Sequence, residues 1–309
     1  MTDVLTELPP DPIIERRRVI QERAGQTLRR RQLVSRITVS LLLGAFIIAL
    51  IPLGSVIYEI IHKGLSSISW PFLHKLPQQP NLINQNAIGG IGNSILGTLV
   101  IDAVAGIVAI PVALVVGLYL SESSSSVANF LRAIVEIMTG LPSILLGVFA
   151  YEFLVVPMGG ASGLAGATAL SVLMVPIIAK AAELAFRGVP DTLREAGLAL
   201  GARSSRVTRG VIFPSALPGI LTGVLLALAR AMGETAPLLL VIGGTSLTWS
   251  WNPFHSMSAL PLTTYFFSNS QYPSQRAAAW GVALTLVVLV MILSLSSRLI
   301  AARMRRERH

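Results

Sequence analysis

Apolar runs long enough to cross a bilayer alternate with short polar connections along this chain. A helix needs about 20 mostly apolar residues to span the hydrocarbon. Six stretches reach that length: Ile37 to Ile61, Ile91 to Leu120, Phe130 to Val156, Gly163 to Phe186, Pro218 to Ile242, and Ala277 to Ile300. The second is long enough to tilt or to extend out of the membrane. The pattern predicts an all-α membrane protein with six transmembrane helices. Residues 1–36 form a basic N-terminal tail without the makings of a core, partly helical or disordered. The first span, 37–61, is too long for a signal-peptide core and has no cleavage site of small residues, so it reads as an uncleaved helix.

The basic residues orient these spans. Eight arginines precede the first, and Arg298, Arg303, Arg305, Arg306 and Arg308 follow or close the last. The 187–217 loop carries Arg187, Arg194, Arg203, Arg206 and Arg209. The 62–84 loop has only Lys63 and Lys75, and the loops after the third and fifth spans are nearly free of Lys and Arg. An excess of Lys and Arg marks the cytoplasmic side. Both termini, including the 303–309 tail, and the 187–217 loop are therefore expected in the cytoplasm. Residues 62–84 are expected outside, with Trp70, Trp249 and Trp251 in interfacial positions.

Composition agrees and excludes other classes. The chain has 309 residues, 53% hydrophobic and 13% charged, with a mean hydropathy of +0.70. Soluble domains carry about 25% charged residues. The absence of cysteine excludes disulfides and thiolate chemistry, and no metal site is expected. The net charge of +9 sits at span ends, so it reads as topology and lipid contact, with no nucleic-acid partner.

The 187–217 loop is longer than a connector requires. After Pro190, Thr192 and Glu195 have capping-box spacing, Thr-x-x-Glu. Leu193, Ala196, Gly197 and Leu200 follow at helical intervals, and Gly201 is a natural left-handed stop. A short helix with one apolar face suits a partner's groove or the headgroup surface.

This stretch resembles the EAA loop of ATP-binding-cassette importer permeases: EAA, three residues, Gly, nine residues, then I-x-L-P. Here it reads Glu195, Ala196, Gly197, three residues, Gly201, nine residues, then Val211 to Pro214. The third Ala is replaced by Gly, the Ile by Val and the Leu by Phe. The resemblance implies a type I importer permease core over 85–302. It makes Thr192, Glu195, Ala196, Gly197, Gly201 and Pro214 part of a coupling helix and loop that dock on an ATPase. The chain has no Gly-x-x-x-x-Gly-Lys-Ser/Thr loop, so a separate subunit must hold ATP and Mg. This chain is then a transport subunit and not itself an enzyme, with no cofactor of its own.

Arg230 and Glu234 lie inside the fifth span. A charge at bilayer depth costs about 3 kcal/mol or more and defaults to function. Arg before Glu at i, i+4 is the less favoured order for an isolated helix. A pair that fixes helix packing and an anion contact in a translocation path both fit. Gly219, Gly223, Ala227 and Ala231 form a small-residue stripe for close helix packing.

"RAMGETAPLLL" resembles the R-A-x-G-E-T-A-P signature of phosphate-specific (Pst-type) importer permeases. "GGIGNSILGTL" and "GLPSILLG" resemble the start and third span of the same core. The resemblance covers about residues 85–305 and favours the PstA-type subunit. It implies a substrate path with Arg230, Glu234, Thr235 and Lys180, where the family commonly has arginine in place of Lys180. It further implies a PstC-like second permease, a PstB-type ATPase dimer, an extracytoplasmic phosphate-binding protein, inorganic phosphate as substrate, and a bacterial plasma membrane.

Other readings are weaker. A permease for another small solute or oxyanion would share the coupling loop. A self-sufficient ion-coupled carrier would use Asp102, Glu136 and Glu152 but has no need of that loop. Gly160 to Gly163 spells the Gly-x-Ser-Gly of intramembrane serine proteases, yet His62, His74, His255 and His309 all lie outside the spans.

Overall fold

The computed structural model describes residues 12–78, 88–244 and 246–306, and these are almost wholly helical. Residues 1–11 of the basic tail, 79–84 of the expected outer loop and 307–309 of the C-terminal tail lie outside the described residues. The chain divides into two compact units, Met1–Glu59 and Ile60–His309. In the first, helix α1 (Pro12–Ser67) passes unbroken through the tail-to-span boundary expected at residue 36. Its apolar side chains, among them Leu41, Leu42, Phe46, Ile48 and Ile51, are exposed.

The second unit begins with the last turns of α1 and the short α2 (Trp70–His74). Then come α3 (Gly92–Glu122), α4 (Ser126–Gly140), α5 (Ser143–Ala150) and, after a wide π turn at Tyr151–Val155, α6 (Val156–Met158). Helix α7 (Gly163–Arg187) leads to α8 (Asp191–Ala199) and α9 (Ser204–Val207). A second π turn, Thr208–Ile212, joins α9 to α10 (Phe213–Ala231). Helices α11 (Ala236–Val241), α12 (Leu260–Ser268) and α13 (Pro273–Arg306) complete the unit.

The core is the seam between α7 and its neighbours α3 and α10. Ala105, Ala109 and Ala113 of α3, Ala179 and Ala182 of α7, and Ala227 and Ala231 of α10 are all fully buried. In lipid, helices gain little from hydrophobic exclusion and associate through close packing of small residues. A Cβ on Gly117 would lie 2.6 Å from the Ala182 methyl, and one on Gly219 2.9 Å from the Ala185 methyl. A Cβ on Gly223 would overlap the Ala181 methyl outright. A second cluster packs Phe72 and Phe267 against Ala278, Ala279 and Val282 of α13. There the end of α1 is pinned by a Ser67 hydroxyl donating to the Ala277 carbonyl at 3.2 Å.

Two expected spans are broken. Phe130 to Val156 is not one helix: α4 and the segment Ser143–Met158 meet at 101°. Proline lacks an amide donor and drives the residue before it out of the α region. Leu141 and Pro142 accordingly have ψ of 135° and 126°. The described residues therefore hold five helices long and apolar enough to cross a membrane, or six if the bent pair counts as one span. The expected span Pro218 to Ile242 also stops at Ala231 and restarts at Ala236. Gly233 and Glu234 donate their amides to the carbonyls of Arg230 and Ala231, three residues back, which tightens and ends the helix. Pro237 opens the first turn of α11, where its missing donor costs nothing. Toward its start the span is longer than expected, since Ser204–Ala231 forms one continuous 28-residue rod.

The region expected as an outer loop after this span also folds inward. Leu260, Leu262, Thr263 and Phe267 of α12 are buried. The Leu260 amide donates to the Thr98 hydroxyl at 2.8 Å, and the Ser94 and Thr263 hydroxyls pair at 2.8 Å. These bonds lock α12 onto the first turns of α3.

Candidate substrate path and coupling segment

Arg230 occupies the last turn of α10, where carbonyls without helical partners give the helix end a partial negative charge. That favours a cation at this position. Its Nε lies 3.6 Å from Oε1 of Glu234, an ion pair looser than a hydrogen bond. Glu234 lies in the turn after the helix, so the pair bridges the break and does not brace a continuous helix. The Arg230 side chain remains 58% exposed, and no further ion pair or hydrogen bond to it occurs among the described residues. Its guanidinium therefore keeps donors free for an oxyanion, which it can grip with two parallel N–H groups.

Arg230 opens into a cavity of about 80 Å³ shared with Thr139, Leu141 and Ser143 of the α4–α5 break and with Pro176 and Ile177 of α7. Both breaks thus border one cavity. Thr235 is half-buried at the N-cap of α11, with no side-chain capping bond. Lys180 is half-buried on α7 but does not line this cavity. Ala181 next to it faces Gly223, and Gly223 precedes Arg230 by seven residues, or about 10 Å along the helix. The Lys180 and Arg230 positions are therefore offset along the α7–α10 seam.

Glu183, one turn beyond Lys180, is nearly buried and already committed. Its Oε1 lies 3.1 Å from Arg132 Nε and 2.9 Å from Arg187 Nη2. Both arginines also donate to the Leu120 carbonyl in the last turn of α3, at 3.1 and 3.0 Å. One carboxylate thereby holds two cations, and these satisfy a carbonyl left open at a helix end. Sequence reasoning did not assign Arg132. Its signal was an arginine inside an expected apolar span, but its partners lie 51 and 12 residues away.

Asp102 is buried, and neither carboxylate oxygen has a hydrogen-bond partner among the described residues. It borders a void of about 10 Å³ behind the α10–α11 break, beside Ala231 and Met232. Glu136 and Glu152 are exposed.

In the 187–217 loop the expected capping box does not form. Pro190 takes the N-cap position, and no side chain caps the helix. Thr192 and Glu195 then fall two residues too far into α8 to exchange bonds with the N-cap. At the other end, Gly201 has φ of +78°. The Gly201 amide donates to Leu198 at 2.9 Å and the Ala202 amide to Gly197 at 3.3 Å, a Schellman stop. Gly201→Ala should cost about 1–2 kcal/mol through the left-handed backbone. A lower melting temperature of the purified chain, with Gly201→Asn falling less, would show it.

Helix α8 is tied to the membrane helices by its own side chains. Arg194 Nη1 lies 2.9 Å from Glu122 Oε1 at the end of α3, and the Thr208 hydroxyl reaches the same oxygen at 3.5 Å. Gly197 backs onto Val207 of α9, where a Cβ would come within 2.9 Å. Glu195 and Ala196 are exposed, as are Leu193, Leu198 and Leu200, the last at 89%. Pro214 sits in the first turn of α10.

The family model for the binding-protein-dependent transport system inner membrane component matches residues 109–306. The chain belongs to this permease family. It is 35% identical to the phosphate transport system permease protein PstA of Xylella fastidiosa, over 89% of this chain and 95% of that protein. It is 33% identical to the phosphate transport system permease protein PstA 1 of Mycobacterium tuberculosis, over 91% and 92% of the two chains. Among solved structures, a chain of the inward-facing MetNI methionine ABC transporter aligns with a TM-score of 0.57 and 26% identity, covering 69% of this chain and 95% of that one. A chain of a bacterial alginate ABC transporter aligns with a TM-score of 0.58 over 88% of this chain and, at 14% identity, shares the fold. The fold is that of a type I ABC importer permease.

Proposed function

We propose that this chain is the transmembrane permease subunit of an ATP-driven inorganic phosphate importer in a bacterial plasma membrane. The observation that carries the reading is the open N–H donors of Arg230, loosely paired with Glu234 at a helix break, on a chain related over most of its length to phosphate permeases. An arginine held in a membrane protein with open donors suits an oxyanion. Glu234 balances its charge while the path is empty.

The partners follow from this reading: a PstC-like second permease that completes the path, a PstB-type ATPase dimer, and an extracytoplasmic phosphate-binding protein. ATP and Mg belong to the ATPase. Both termini and the 187–217 loop face the cytoplasm, and α8 docks in an ATPase groove through its exposed leucines. Closure of the ATPases then moves α8. That motion passes to α3 through Glu122 and Arg194, and to Arg230 along the rod that starts at Ser204.

The test is phosphate uptake in cells that lack other phosphate importers and express this chain with its neighbouring subunits. Import that depends on this chain is the expected result. Assembly of the subunits without phosphate import, under any ATP supply, overturns the substrate. Glu195→Arg tests the docking. Glu195 is exposed on α8, so the substitution leaves this fold intact, yet it reverses a charge facing the ATPase. Uptake should fall by at least tenfold at equal membrane abundance, and ATP hydrolysis should no longer respond to the loaded binding protein. Normal coupled uptake would remove α8 from the interface.

A further inference from the structure

The cavity beside Arg230 holds two hydroxyl groups that differ in what they can offer. The Thr139 hydroxyl donates its hydrogen to the Val135 carbonyl one turn back, at 2.8 Å. A hydroxyl has one hydrogen and two lone pairs. With its hydrogen committed, Thr139 can only accept a hydrogen bond from whatever enters the cavity. Ser143, across the α4–α5 break, has no hydrogen-bond partner among the described residues, so its hydroxyl is free to donate. Arg230 supplies charge and N–H donors. The cavity therefore presents cationic donors, one hydroxyl that can donate or accept, and one, Thr139, that can only accept, within a space a few water molecules wide.

We propose that Thr139 is a specificity-determining residue that selects oxyanions still carrying a proton. Hydrogen phosphate has both P–O⁻ oxygens and a P–OH group. The oxygens meet Arg230 and Ser143, and the P–OH donates to Thr139. Sulfate at neutral pH carries no proton. It would place an unprotonated oxygen against the lone pairs of Thr139, and a desolvated acceptor facing an acceptor is penalised. A site that hydrogen-bonds a substrate hydroxyl rejects an analogue lacking it far more strongly than an apolar pocket rejects a change in size. Thr139 on α4 and Ser143 on α5 flank the Leu141–Pro142 break and line one cavity with Arg230. The inference deepens the phosphate reading above and rests on it.

The test uses the assembled membrane complex in nanodiscs, without binding protein, titrated with radiolabelled inorganic phosphate and challenged with unlabelled arsenate and sulfate. In wild type, arsenate, which keeps a proton, should displace phosphate, and sulfate should not. Thr139→Val, close in shape, should weaken phosphate binding about tenfold and narrow the preference over sulfate by the same factor. Thr139→Ser should retain both. Ser143→Ala should weaken both anions alike. The proposal is overturned if Thr139→Val keeps the wild-type preference, or if Thr139→Ser is as poor as Thr139→Val, which would make the γ-methyl packing the cause. It is also overturned if a wild-type complex that imports phosphate shows no saturable binding. Import and binding of sulfate in place of phosphate by wild type would instead sink the phosphate reading itself, and this inference with it.

Discussion

Arg230→Gln should reduce phosphate uptake by on the order of 100-fold, the size expected for losing charge-assisted hydrogen bonds to a transported anion, while the chain still reaches the membrane. Glutamine is shorter but keeps a polar, hydrogen-bonding end, and it removes the charge. The fold does not depend on that charge. The side chain is 58% exposed, and its contact with Glu234 is a loose 3.6 Å pair across a helix break. A structural role would require Arg230 to be held as Glu183 is, by two arginines at 3.1 and 2.9 Å. Arg230→Lys should be intermediate, since a point charge survives but the planar fork does not. Radiolabelled uptake at matched membrane abundance reads all three. Equal uptake by wild type and Arg230→Gln would make the pair a packing device. Loss of the chain from the membrane would give it a structural role that the geometry does not suggest.

Much of the fold was legible because apolar length is a one-dimensional signal. The long helices α3, α7 and α13 lie where the hydrophobic runs predict them. What the run lengths concealed were the two breaks. A stretch such as Phe130 to Val156 stays apolar through Leu141 and Pro142, and hydropathy does not register a proline turn. The same holds after Ala231, where the helix ends inside an apolar segment. Local chemistry was read correctly at Gly201, whose left-handed backbone follows from its lack of a side chain. It was misread at Thr192 and Glu195, because Pro190 begins the helix two residues earlier than a capping box requires.

The candidate site divides along the same line. Arg230 and Glu234 stand out as charges in an apolar run, and they remain neighbours despite the break because the turn keeps them one helical pitch apart. Thr139 and Ser143 carry no such signal. They lie on either side of the break, four residues apart, and a hydroxyl in an apolar span is ordinarily satisfied by its own helix. Glu122 was equally hidden. Its bond to Arg194 spans 72 residues in sequence and ties α8 to the end of α3.

Gly223→Leu should prevent stable accumulation of the chain, and with it all transport. At Gly223 α7 and α10 pack backbone to side chain, since even a single Cβ there would overlap the Ala181 methyl. The neighbours cannot yield, because Ile178, Ile220 and Ala227 around that contact are at most 2% exposed. Overpacking by a methyl or two costs about 1–3 kcal/mol, and a leucine adds more than that at a seam with no slack. Forcing the helices apart would also move Arg230 away from Pro176 and Ile177, which share its cavity. Substitutions of one methyl decide whether close approach is the cause. Gly223→Ala should lower the melting temperature of the purified chain. Adding Ala181→Gly to it should restore most of the loss, because the methyl then moves from one helix to the other. Gly44→Ala, where nothing lies within 4 Å of the new Cβ, should change little. If Ala181→Gly fails to rescue Gly223→Ala, the glycine is needed for something other than the contact between α7 and α10.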